Sequence, residues 1–309
     1  MNDSVAQLRA RWTPELTEAA IRFLQGNPGE IEIPTMDLDG RTLLDLRGIR
    51  IAGTQLDGML IRRVNLRWAT IHDVGFKGAR LIDCNLSQGS FSECYFRRAT
   101  FQGCDIVNSK FESCDFPGAR LDASRLDFAR FRNCEIGLAS IEFRADGNPQ
   151  VLARVCRNLK LNAMMMGQLA DASELAYMEK TFERYLLHGQ AFAGAGAHPA
   201  KRFKAVTLWL DAVLFNWLWG YGEKPWRLAL GMLIAIFGFG TLQFALDGIP
   251  GRGWWEHVYF SGVTFCSVGY GDLVPEQPIP RALAVMEGLL GITFLGMLIA
   301  SATKKIMSR

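Results

Sequence analysis

The 309 residues carry 34 lysines and arginines against 31 acids, a formal net charge of +3, and 49% of them are hydrophobic. No nucleic-acid partner is expected. The sequence also holds no P-loop, no Walker lysine and no clustered zinc-ligand spacing, which excludes the enzyme classes built on those motifs.

Residues 1–35 read as an N-terminal helical segment and cap. Thr13-Pro14 supplies an N-cap followed by a first-turn proline, so a short helix is expected to run to about Gln25 and to end at Gly26. Nothing from Met1 to Trp12 has the pattern of a signal peptide, which agrees with a cytoplasmic N-terminus.

Residues 36–149 carry an internal period. Steps of five from Leu46 reach Ile51, Leu56, Ile61, Leu66, Ile71, Phe76 and so on to Ile136 and Ile141, and every stop is Leu, Ile or Phe. From Ala69 onward the residue two places earlier is nearly always small: Ala79, Cys84, Gly89, Cys94, Ala99, Cys104, Ser109, Cys114 and Ala119. A period of five fits neither a helix nor a simple strand. The pattern resembles the pentapeptide-repeat family, and the resemblance implies a right-handed, four-sided β-helix of about five coils displaced by about 4.8 Å each. Positions one coil apart then stack. Phe76, Phe96 and Phe116 make one ladder, and Phe91, Phe111 and Phe131 another. The small residues let the corners close. Solenoid ends need caps, and the segment before Leu46 and residues 145–149 are the candidates. In this frame Cys84, Cys94, Cys104, Cys114 and Cys134 face inward as small packing residues rather than metal ligands. Over the repeats, residues 46–141, arginines outnumber acids, so that surface is a solvated face or one that meets anionic lipid headgroups.

Residues 150–200 read as an antiparallel helix pair and linker. Leu152, Val155, Leu159 and Ala163 share one face, and Leu175, Met178, Phe182 and Tyr185 another, with the break expected at Asp171-Ala172-Ser173. Cys156 belongs to a helix face. Gly189 to Ala200 reads as a flexible linker. Within 201–224, Phe203, Val206, Leu210, Val213, Leu214 and Trp217 recur at helical spacing among Lys204, Asp211 and Asn216. This is an amphipathic helix expected on the inner membrane surface, with a third spanning helix as the rival reading.

Residues 225–309 contain two apolar runs, 228–246 and 282–302, each long enough to cross a hydrocarbon core of about 30 Å. Lys201, Arg202, Lys204, Lys224 and Arg227 precede the first run, and Lys304, Lys305 and Arg309 follow the second; only Arg252 and Arg281 lie between. By the positive-inside rule both chain ends are cytoplasmic and the protein is a multi-pass plasma-membrane protein, in a bacterial inner membrane if the source is prokaryotic. No helix carries arginine at every third position, so no voltage sensor is expected.

Between the runs, 254–272 holds an aromatic-rich helical stretch and then Thr264-Phe265-Cys266-Ser267-Val268-Gly269-Tyr270-Gly271-Asp272. The stretch resembles the selectivity filter of potassium channels, with Ser267 where that family carries a second threonine. The resemblance implies that carbonyls of Ser267, Val268, Gly269 and Tyr270, with the Ser267 hydroxyl, coordinate K+; that Thr264 braces the filter; and that Gly271 and Asp272 shape its mouth. In the second run Gly291 and Gly296 are candidates for a hinge or for close packing, and Glu287 is an intramembrane acid that bonds to the pore helix or adds negative potential to the ion path. Cys266 is expected to be packed, and His257 is the one histidine placed to sense pH. The whole is expected to be a multidomain membrane protein, a β-helix followed by an all-α two-span pore, and not an enzyme. It would form a homotetramer in lipid and pass K+ without a cofactor, under possible control by a cytoplasmic ligand or protein. The alternatives are a membrane-tethered scaffold that binds a protein partner and a weakly selective cation channel.

Overall fold

The five-residue period becomes the wall spacing of a β-solenoid in the computed structural model, which describes residues 5–27, 29, 31–38, 40–122, 124–142, 148–193, 199–222 and 224–307. The chain divides into two compact units, 1–186 and 187–309.

In the first unit, parallel strands pair in a register of twenty residues. Ile51, Ile71, Phe91, Phe111 and Phe131 align on one face. Ile61, Leu81, Phe101 and Leu121 align on another. The repeat centres are buried from Leu46 to Ile136, and only the last, Ile141, is partly open. Both phenylalanine ladders form. Phe96 stacks at 4.9 Å on Phe76 and at 4.9 Å on Phe116, while Phe111 stacks at 4.8 Å on Phe91 and 5.1 Å on Phe131. The two columns meet edge to face, as at Phe96–Phe111 (6.1 Å), the arrangement ring quadrupoles favour.

The corners differ from expectation. From Leu46 to Phe131 the backbone turns at the second residue after the centre wherever that residue is described, with φ positive: +75° at Gly48, +53° at Arg63, +61° at Trp68, +49° at Asp73, +57° at Arg98 and +52° at Asn133. The cysteines two places before a centre point inward, as expected, and bond to the previous coil. The Cys84 thiol donates to Ile61 O at 3.4 Å, Cys94 to Ile71 O at 3.6 Å, Cys104 to Leu81 O at 3.4 Å and Cys114 to Phe91 O at 3.5 Å. Ser109 and Ser124 place hydroxyls in the same role, on Leu86 O and Phe101 O.

Both ends of the solenoid are covered. Helix α1 (Val5–Ala10) leads into α2 (Pro14–Leu24), whose N-terminal amide at Leu16 donates to Thr13 Oγ1. Gly26 ends it with φ +80°. Between α1 and α2, Arg11 and Trp12 reach the first coil. Arg11 bonds to the buried Asp45 carboxylate at 2.8 Å and 2.9 Å, and Trp12 Nε1 donates to Arg47 O at 2.8 Å. At the other end the cap is α3 (Pro149–Met165). Asn158 Oδ1 accepts from Phe131 N, and Asn162 both accepts from Cys134 N and donates to Cys134 O, completing the last coil's ladder. Of the proposed cap 145–149, residues 145–147 lie outside the described residues; Asn148 caps α3 through Gln150 N.

The break between the paired helices falls at Met166–Gln168, earlier than expected. Gly167 takes φ +71° and stops α3 in a left-handed turn, and α4 (Leu169–His188) starts at once. Asp171 is therefore inside the first turn of α4, where its carboxylate accepts from Leu138 N at 2.8 Å. Arg157 and Lys160 of α3 grip the buried Glu179 of α4 at 2.7 Å and 2.6 Å. Burial pushes the Cys156 thiol up to about 12, helped by the Glu179 charge, so this cysteine is an inert core residue.

In the second unit the expected linker begins as a π-helical turn, Gly189–Ala193; residues 194–198 lie outside the described residues. Helix α5 (Pro199–Trp219) exposes Phe203, Leu210, Leu214 and Trp217 along one side. A tight elbow follows, with φ +58°, +57° and +85° at Gly220, Tyr221 and Gly222. Arg227 ties it back to Asn216 O and Tyr221 to Ala212 O. Then come α6 (Pro225–Ala245), α7 (Trp254–Phe265) and α8 (Pro278–Met307). The segments Trp226–Ala245 and Pro278–Thr303, with mean hydropathies of 1.9 and 2.1, are long and apolar enough to cross a membrane. Helix α5 does not meet that condition.

Candidate ion-conduction site

Helix α7 lies in a cradle between the two apolar helices, and glycines make the cradle close. A Cβ on Gly240 of α6 would stand 2.7 Å from Val258 Cα, and one on Gly291 of α8 would stand 1.9 Å from Phe265 O. Gly291 is thus a packing residue. At Gly296, also a candidate for a hinge or for close packing, a Cβ would meet nothing within 4 Å inside the chain. Polar groups fix the register. Ser261 Oγ lies 2.7 Å from Ile236 O of α6 and also bonds to Glu287 Oε1 of α8. Trp254 Nε1 donates to Thr241 Oγ1 at 3.1 Å. His257 is fully buried; its Nε2 accepts from Ile249 N at 3.2 Å, which leaves Nδ1 to donate to Gly253 O at 2.8 Å. Both ring nitrogens are committed, so His257 braces the loop between α6 and α7.

The filter stretch hangs from the C-terminal end of α7. Ser267 N donates to Thr264 O at 3.0 Å, and Val268 N and Gly269 N both reach Val263 O, at 3.0 and 3.4 Å. A helix C-terminus carries partial negative charge and favours a cation beyond it. Handedness then alternates: φ is positive at Ser267 (+57°), Gly269 (+56°) and Gly271 (+74°), and not at Val268 or Tyr270. In a strand successive carbonyls point to opposite sides; inverting every second residue turns them toward one side. Gly269 and Gly271 have open space where a side chain would go, so backbone conformation and not crowding calls for glycine there. Ser267 adopts the same left-handed conformation without that freedom.

Beyond the filter stretch, Asp272 lies near the Tyr259 side chain on α7. The descending loop is pinned by Glu276 N to Gly248 O (3.2 Å), Arg281 Nε to Pro275 O (2.9 Å) and Gln243 Nε2 to Pro280 O (3.0 Å). Thr264 takes part through its backbone carbonyl. Residues 266–272 are all solvent-exposed or nearly so in the single chain, Tyr270 at 71%. Cys266, expected to be packed, is among the exposed ones.

Sequence reasoning did not single out Gly240 or Ser261. Gly240 carried a signal, a glycine inside an apolar run; Ser261 gained meaning only when α7 was seen between two partners.

Residues 231–308 match the family model described as "Ion channel", and residues 75–112 match "Pentapeptide repeats" in 8 copies. The chain is 30% identical over 95 residues to "Two pore potassium channel b" of Oryza sativa subsp. japonica, covering 29% of this chain and 27% of that protein. It is 31% identical over 94 residues to "Two-pore potassium channel 4" of Arabidopsis thaliana, covering 28% and 33%. The match therefore spans no more than about a third of those relatives' length. A solved pentapeptide repeat protein from the Arabidopsis thaliana thylakoid lumen is 20% identical, covers 35% of this chain and 77% of its own, and superposes with a TM-score of 0.20. The chain joins a β-solenoid that carries pentapeptide repeats to a region that matches the ion-channel model and is similar to potassium channels.

Proposed function

We propose that this protein is a potassium-selective channel of the two-span type, working as a homotetramer in a membrane with both chain ends on the cytoplasmic side. The carrying observation is the alternation of backbone handedness at Ser267, Gly269 and Gly271, below a helix whose C-terminus supplies partial negative charge. One such loop cannot surround an ion. Four around an axis form stacked rings from the carbonyls of Ser267, Val268, Gly269 and Tyr270, closed below by the Ser267 hydroxyl. These oxygens replace the hydration shell of K+, which passes down its electrochemical gradient with no bond made or broken. The exposed filter and the apolar outer faces of α6 and α8 fit an assembly in which neighbouring subunits and lipid cover them. The exposed apolar side of α5 fits a helix seated at the lipid surface. The solenoid would pass a ligand or partner signal to the pore through α3 and α4.

Purified protein in liposomes tests this. Potassium flux that barium blocks, absent in Gly269→Asp, supports the channel. A tight protein partner with no flux under any condition supports the scaffold. Deleting residues 1–150 addresses regulation: raised flux assigns the solenoid a restraining role, and unchanged flux removes it from gating.

A further inference from the structure

We infer that Glu287 is held as the neutral acid, donating its proton to Ser261, and that this bond positions the pore helix and hence the filter. The inference rests on reading α7 as a pore helix, but its core is hydrogen-bond accounting within three packed helices.

A hydroxyl has one proton to give and can accept as well. Ser261 Oγ makes two contacts, with Ile236 O at 2.7 Å and with Glu287 Oε1. Ile236 O is a carbonyl and only accepts. The serine proton is therefore committed to Ile236, and the contact with Glu287 needs a donor on the carboxyl side. An ionised Glu287 would draw the serine proton to itself and leave two oxygens facing each other at 2.7 Å with no hydrogen between them.

The surroundings agree. Glu287 is fully buried, and its Oε2 has no hydrogen-bond partner. A carboxylate there would be a buried charge with one oxygen bare, whereas a neutral acid leaves only a carbonyl-type oxygen unmet. No compensating cation is at hand on the packed elements. Helix α6 has no ionisable residue from Leu228 to Ala245, and α8 has none but Glu287 between Arg281 and Lys304. On α7, His257 is committed to Gly253 and Ile249, Tyr259 faces Asp272, and Glu256 lies in the first turn.

The register gives the bond its consequence. Glu287 meets Ser261, and four residues on along both helices Gly291 meets Phe265 O. The two contacts sit one turn apart, so the proton and the glycine together fix α7 along its axis. The filter amides of Ser267 and Val268 hang from Thr264 O and Val263 O, so a shift of α7 moves the filter entry directly. Glu287 acts through Ser261 and is a positioning residue.

The test uses the full-length protein reconstituted in lipid. A parent-minus-Glu287→Gln infrared difference spectrum is expected to show the carbonyl stretch of a protonated carboxylic acid, shifting in D2O. This readout does not depend on conduction, so a parent that shows the band but passes no potassium would sink the channel reading and leave the proton assignment standing. In flux assays Glu287→Gln, whose amide donates as the acid does, is expected to keep the parent's potassium-over-sodium ratio. Glu287→Ala and Ser261→Ala are expected to lower it about tenfold or more. A carboxylate band in place of the acid band overturns the assignment. Loss of selectivity in Glu287→Gln equal to that in Glu287→Ala, or no loss in Glu287→Ala, overturns the positioning role.

Discussion

Gly291 of α8 stands directly over the carbonyl of Phe265, the last residue of α7, with 1.9 Å between that oxygen and any Cβ placed on the glycine. The oxygen belongs to a backbone that cannot rotate away, because the next residues lead straight into the filter. Gly291→Ala therefore has to push the helices apart, at about 1–3 kcal/mol by the usual cost of overpacking. The expected outcome is a lower unfolding temperature in detergent and a loss of flux in liposomes. Gly296→Ala is expected to leave the fold of each chain unchanged, since no neighbour stands within 4 Å there. A Gly291→Ala channel as stable and active as the parent would contradict the packing role.

Phe96 is the centre of the solenoid core, with rings of Phe76, Phe91, Phe101, Phe111 and Phe116 around it. Phe96→Ala is expected to cost about 3–5 kcal/mol, since rigid neighbouring coils cannot collapse into the space. Its neighbour Tyr95 points outward, and Tyr95→Ala is expected to stay within about 0.5 kcal/mol of the parent. Hydrogen exchange of amides in the Ser90–Ser92 and Lys110–Glu112 strands of the full-length protein reads the difference. Equal protection in the two variants would contradict the ladder's importance.

Acid should loosen the N-terminal cap. Burial alone would raise the pKa of Asp45, but hydrogen bonds from Arg11 and Arg47 outweigh it and hold the carboxyl well below its ordinary range. A group with a depressed folded pKa contributes stability above its unfolded value, near 3.9, and loses it as pH falls toward the folded value. Asp45→Asn is expected to destabilise the cap by roughly 1.5–3 kcal/mol at pH 7. The gap between variant and parent should narrow below about pH 4. Glu179, depressed by Lys160 and Arg157 against the opposing effect of burial, moves in the same direction. A gap that widens on acidification would refute the assignment.

Ser267 supplies the hydroxyl expected to complete the innermost ring. Ser267→Ala keeps the backbone and removes that oxygen, so barium block measured in liposomes should weaken about fivefold or more, the effect of one lost hydrogen-bond-strength contact. Ser267→Thr keeps the hydroxyl and should retain potassium selectivity. Unaltered block in Ser267→Ala would remove the side chain from the ion path.

The periodic parts of this molecule were legible in its sequence because period alone decides which residues face inward. Stepping by five named the ladders of Phe76 and Phe91 before any geometry was known, and two apolar runs around Gly269-Tyr270-Gly271 marked the region that matches the ion-channel model. The corners were not legible. A left-handed residue costs only about 1–2 kcal/mol when it is not glycine. A coil held on all sides can carry Arg63, Trp68 or Glu93 there, and no single residue type marks the position. Contacts that depend on how separate elements meet were also hidden. Asn158 and Asn162 read as ordinary helix residues until the last coil presented bare backbone groups to them. Ser261 read as a small residue in an aromatic helix until Ile236 and Glu287 approached it from opposite sides.

The most direct test of the conducting filter is the reversal potential of the reconstituted protein between potassium on one side and sodium on the other. The expected result is a potential that follows the potassium gradient, about 59 mV per tenfold change for a monovalent ion, and that is lost with the current in Gly269→Asp. A reversal potential near zero with sodium and potassium passing alike, or a current that persists unchanged in Gly269→Asp, would contradict it.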